Sequence, residues 1–78
     1  MINEKLALKM LSKMIDSGQL QIDFESKHIM VMQYLPNWNL VKEIMQNFGM
    51  KYKYEIHCFV PFNNKLFEIL NNSLVKYQ

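Results

Sequence analysis

Only two glycines and two prolines interrupt the 78 residues of this chain, and each stands where the spacing of apolar side chains changes. Glycine readily takes the left-handed conformation that ends a helix, and proline lacks the N–H that a strand donates. Gly18, Pro36, Gly49 and Pro61 therefore cut the sequence into segments with one hydrophobic period each. Before Gly18, Ala7, Met10, Leu11, Met14 and Ile15 recur at three and four residues, with Lys5, Lys9, Lys13 and Asp16 elsewhere on the wheel. The spacing predicts an amphipathic helix over residues 4–17, with Asn3 placed to cap it. From Gln19 the period falls to two: Leu20, Ile22 and Phe24 alternate with Gln21, Asp23 and Glu25, as in a half-buried strand that turns at Ser26-Lys27.

The run from His28 to Leu35 is apolar on both parities, with Ile29 and Val31 on one and Met30, Met32 and Tyr34 on the other. Bounded by a turn and Pro36, it fits a strand better than a helix. Beyond Pro36, with Asn37 or Asn39 as the cap, Leu40, Val41, Ile44, Met45 and Phe48 make the stripe of a second helix that Gly49 closes. Residues 51–60 alternate again and predict one strand, with Tyr52, Tyr54, Ile56, Cys58 and Val60 toward the core and Lys51, Lys53, Glu55, His57 and Phe59 away from it. Pro61 and Phe62 break it, and Asn63 or Asn64 caps a last helix that buries Leu66, Phe67, Leu70 and Leu74. No internal repeat or linker is visible. The expected fold is a single α+β domain over residues 1–78, a three-stranded antiparallel sheet with three helices in the order α-β-β-α-β-α.

A turn centred on Ser26-Lys27 sets Phe24 opposite Ile29, Ile22 opposite Val31 and Leu20 opposite Gln33, and puts the apolar members on the core face. Met30, Met32 and Tyr34 then form an apolar row on the other face, beside Asp23, Gln21 and Gln19. Three strands span roughly 14 Å, whereas packed helices need about 8–10 Å apiece. Two helices fit on one face. The third either roofs Met30, Met32 and Tyr34 or leaves them as a patch of the kind monomers seldom expose without a use.

Size and composition narrow the function. One core of this length buries only about 60–65% of the surface of the unfolded chain, which excludes large enzymes. With 50% apolar residues the chain folds rather than staying disordered. The lone Cys58 permits no internal disulfide, and Cys58, His28 and His57 lack paired-ligand spacing, so neither metal nor cofactor is expected. No apolar run reaches the roughly 20 residues of a membrane span. Lysines also interrupt the first helix, so the expectation is a cytoplasmic protein without a membrane segment. The net charge is +2, with no arginine and no threonine, and asparagine, lysine and isoleucine are plentiful. That usage suits an AT-rich bacterial or phage genome, and it deprives a sequence-specific DNA binder of its main tool, arginine.

Candidate chemistry is sparse. His57 and Cys58 are strand neighbours, so they point to opposite faces and cannot act as base and nucleophile; Cys58 is expected in the core as a small apolar residue. Asp23 and Glu25 share a face with nothing to raise a carboxyl pKa. No catalytic residue is assigned, and the chain is read as a non-enzyme. Lys51-Tyr52-Lys53-Tyr54 interleaves cations and aromatics, as single-stranded nucleic-acid binders do, but alternation turns the two sets apart. Trp38 suits either an interface anchor or a staple holding the helix entrance to the core. The expected function is a non-enzymatic protein-interaction module, of the kind a phage or mobile element uses to block a host or defence protein. Met30, Met32 and Tyr34 supply apolar burial, Trp38 an anchor, and Lys51, Lys53 and His57 steering toward an acidic surface on a larger protein partner. Two alternatives stay open: the row pairs with a second copy in a homodimer, or the basic strand binds RNA or single-stranded DNA.

Overall fold

Both glycines sit at chain reversals with positive φ, 81° at Gly18 and 79° at Gly49. Each separates a helix from the hairpin that follows it. The computed structural model describes residues 3–73. Among them the order is α1 (Glu4–Asp16), β1 (Leu20–Asp23), β2 (His28–Val31), α2 (Trp38–Asn47), β3 (Met50–Lys53), β4 (Cys58–Pro61) and α3 (Lys65–Ser73). The carboxamide of Asn3 caps α1 by accepting the Leu6 N–H at 3.1 Å. Asn37 takes the cap position of α2 without a side-chain bond. The Asn63 carboxamide oxygen accepts the Lys65 N–H at the start of α3, at 2.9 Å. Leu66, Phe67 and Leu70 of that last helix are buried; Leu74 lies outside the described residues.

The sheet has four antiparallel strands in the order β1-β2-β4-β3, not three. The stretch expected as one strand over 51–60 folds back on itself: Tyr54–Ile56 form a 3-10 turn and His57 takes the left-handed conformation, φ 49°. The element order is therefore α-β-β-α-β-β-α. Alternation misled here because the loop places Tyr54 and Ile56, 75% and 56% exposed, at the parity of buried strand positions. A non-glycine residue at positive φ leaves no such mark in the pattern. The first hairpin shows the same construction. Its loop is residues 24–27 and ends on Lys27 at φ 60°, so Ile22 faces Ile29 and Leu20 faces Val31, a register two residues from the expected one. A shift of two preserves faces, so Met30 still opposes the core parity.

A helix followed by a hairpin thus occurs twice, a structural repeat that residue identity conceals. Leu20 and Met50 occupy equivalent buried sites, as do Ile29 and Phe59, thirty residues apart, and Lys27 and His57 end the equivalent loops. The units join where β2 pairs with β4, Ile29 opposite Phe59. Pro61 is tolerated because its β3 partner is Met50. The bond from the Phe62 N–H to the Gly49 carbonyl, 2.9 Å, fixes the alternation so that Met50 and Pro61 form a pair that exchanges no hydrogen bonds.

Cross-strand partners share a face, so Leu20, Ile22, Ile29, Val31, Tyr52 and Phe59 lie on one side and Gln21, Met30, Cys58 and Lys53 on the other. Buried residues of α1 (Ala7, Leu11), α2 (Val41, Ile44, Met45) and α3 (Leu66, Phe67, Leu70) all join Leu20, Ile29, Met50 and Phe59 in one core. The third helix therefore does not roof Met30 and Met32. It crosses the end of the helical layer, where Phe67 meets the Phe24 ring edge-on at 5.8 Å and the Lys65 ammonium donates to the Asn47 carbonyl at 3.2 Å. Cys58, expected in that core, is buried on the opposite face: the four-residue loop puts Phe59, rather than Cys58, opposite Tyr52. Phe59 is 1% exposed, and its truncation to alanine would cost about 3–5 kcal/mol, a large share of the stability of a small domain.

The two glycines differ in their surroundings. A Cβ at Gly18 meets nothing within 4 Å, whereas one at Gly49 collides with the Asn63 carboxamide. Gly18→Ala should cost about 1–2 kcal/mol for its backbone alone. Gly49→Ala should cost more, and Asn63→Ala in that background should return part of the excess, as denaturant titration of the single and double variants will show.

Candidate functional site

The face opposite the helices carries Met30 on β2, Cys58 and Val60 on β4, and Lys51 and Lys53 on β3, with Gln21, Asp23 and His28 toward the β1 side. Met32 follows β2 with its N–H bonded to the Gln19 carbonyl at 2.9 Å, which continues the ladder and keeps Met32 at the parity of Met30. No helix among the described residues covers this face, and Met32 is 54% exposed. The result is an apolar strip of thioethers and valine with two ammonium groups along one margin.

Of the residues singled out from sequence, Met30, Met32, Lys51 and Lys53 share this face, while Tyr34, Trp38 and His57 do not. Strand β2 ends at Val31, so Tyr34 lies beyond the ladder; it is 83% exposed and lines a groove with Val31, Leu35, Trp38 and Tyr52. Trp38, the first residue of α2, is a staple. Its ring meets Tyr52 at 4.7 Å in an edge-on contact and Phe59 at 5.6 Å, locking the helix start onto the second hairpin. Such pairs contribute about 0.5–1.5 kcal/mol each beyond their burial. His57 is held at the hairpin turn, its Nδ1 3.0 Å from the Tyr52 hydroxyl. Val60, expected toward the core, stands on the open face with Lys51 because of the hidden loop, while Tyr52 keeps its expected side and bridges Trp38 and His57.

Two titratable groups depart from their ordinary values. The Ser26 N–H, followed by the Ser26 side chain, the Glu25 N–H and nearby His28, holds the Asp23 carboxyl below its ordinary value. The N–H contacts, 3.3 and 3.0 Å, fold the first hairpin loop around the carboxylate. Burial pushes the Cys58 thiol up, the reverse of what an activated nucleophile needs. Among the described residues no three His, Cys, Asp or Glu side chains gather as metal ligands, and no helix is long and apolar enough to cross a membrane. Compared with known proteins, the chain matches no family, no curated protein and no solved structure.

The two shifts have opposite signs on stability. Asp23 is lowered on folding, so its contribution is present above the unfolded carboxyl value and is lost as pH falls through the folded one. Cys58 is raised, so its contribution is full below the unfolded thiol value and is lost as pH rises through the folded one. Unfolding free energy measured across pH should therefore fall at both ends. Asp23→Asn, which keeps the acceptor oxygen, should flatten the acid limb, and Cys58→Ala the alkaline limb.

Proposed function

We propose that this chain is a non-enzymatic protein-interaction module that binds a larger partner through the open face of its sheet. The observation that carries the reading is the placement of all three described helices on one side, which leaves Met30, Met32 and Val60 without a covering helix among the described residues, beside Lys51 and Lys53. A strip this apolar is stabilised by burial against another surface, at about 25 cal/mol per Å² of apolar area removed from water. Thioether side chains adapt to irregular contact shapes. The flanking lysines favour a partner whose contact area is apolar at the centre and acidic at the rim, and they speed encounter. Small size and an arginine-free, AT-biased composition suit a cytoplasmic inhibitor carried by a phage or other mobile element, which blocks a host or defence protein by occupying its surface.

Binding of single-stranded nucleic acid is less well served by this geometry. Tyr52 and Phe59, the aromatic side chains of the second hairpin's strands, turn into the helical layer, so the two strands set no aromatic on the face of Lys51 and Lys53. Affinity capture from the native cell with the wild-type chain and with Met32→Lys, both shown to be folded by circular dichroism, tests the reading. A protein retained by the wild type at moderate salt and held at least about tenfold more weakly by the variant is the expected result. Capture of nucleic acid that elutes steeply with salt and ignores Met32→Lys would overturn it.

A further inference from the structure

Strand β3 is an edge strand of the described sheet, and beside it a groove opens against α2. Because the Gly49 carbonyl accepts the Phe62 N–H at 2.9 Å, alternation directs the backbone of Lys51 and Lys53 toward β4. The N–H and C=O groups of Met50 and Tyr52 are therefore turned outward, available to another strand. On the helical side of this edge, Lys42 and Gln46 stand four residues apart along α2 and form the far wall. The hollow there, of about 290 Å³, lies among Lys42, Gln46, Met50, Tyr52 and Phe62. Phe62 is 61% exposed.

We propose that the β3 edge binds an extended segment of a partner protein as a fifth strand, with acidic and apolar side chains alternating along that segment. Main-chain bonds to Met50 and Tyr52 supply affinity, and an apolar side chain of the segment enters the hollow beside Tyr52. Charge selects the occupant. The groove rim carries Lys42 and Lys51, with Lys53 further along the strand, and no acidic side chain among the described residues lines the hollow. A second copy pairing antiparallel about Tyr52 would set Lys51 against Lys53 of its partner, a directly opposed like-charge pair. A segment with glutamate or aspartate at those positions meets the lysines on one face and presents its apolar side chains to the α2 side on the other. The site is the edge and its groove, not the open sheet face, so Met32→Lys should leave it intact.

Trp38 is the only tryptophan and meets the Tyr52 ring at 4.7 Å, which makes it an internal reporter of that edge. The probe is a capped peptide alternating valine and glutamate, titrated into the full chain. Trp38 fluorescence should change saturably, and the Met50 and Tyr52 amides should become protected from exchange. The alternating valine-lysine peptide, and a valine-glutamate peptide N-methylated at alternate residues to remove its pairing N–H groups, should each bind at least about tenfold more weakly. Lys51→Glu with Lys53→Glu, exposed positions whose exchange leaves the core intact, should reverse the preference between the glutamate and lysine peptides. Absence of saturable binding, indifference to N-methylation, protection of Met50 and Tyr52 by self-association without peptide, or a response that Met32→Lys abolishes would each overturn the proposal.

Discussion

The pairing of β2 with β4 is the contact on which the rest of the molecule rests. It joins two helix-and-hairpin units that would each be marginal alone, since a single hairpin buries too little to persist in water. Ile29 opposite Phe59 sits at the junction, and both are 1% exposed at the centre of the core. One step along, the Val31 N–H donates to the carbonyl of His57 at 3.0 Å. The same His57 closes the second hairpin in the left-handed conformation, so the loop residue at positive φ is tied into the central ladder.

From this junction the distribution of surfaces follows. Joining the hairpins by their second strands leaves the first strands, β1 and β3, at the two edges of the described sheet. Placing α1 against β1 and α2 against β3 puts both helices on the same side, and α3 fills the end of that layer through Phe67 and Lys65. The remaining face carries thioethers with lysines along one margin. The β3 edge carries the same lysines beside a hollow walled by α2, so two distinct surfaces share one source of charge.

Most of the helical layer was legible because each helix has an apolar stripe between recognisable ends: Asn3 and Gly18 for α1, Pro36 and Gly49 for α2, Asn63 for α3. The first hairpin was legible in its faces but not in its register, because the loop is set by the Asp23 carboxylate and by Lys27 at positive φ, neither of which pattern reading detects. The second hairpin was hidden for the same reason. Lys51 to Val60 alternates without a break, and neither the 3-10 turn of Tyr54–Ile56 nor His57 at positive φ leaves a mark on it. That four-residue turn sets the strand count, puts Cys58 on the face away from the helices, and separates His57 from Lys51 and Lys53. Met30 and Met32 kept their predicted face because a register shift of two residues does not alter parity. Tyr34 did not, because the ladder ends before it.

The most direct test of this architecture is the scalar coupling transmitted across hydrogen bonds, read by NMR between the Val31 amide nitrogen and the His57 carbonyl carbon in the isotope-labelled protein. A cross-peak linking these two atoms is expected, with the Val31 amide among the slowest to exchange with solvent. Coupling of the Val31 amide to a different carbonyl, or exchange as fast as that of an exposed loop residue, would contradict the central junction and with it the four-stranded sheet.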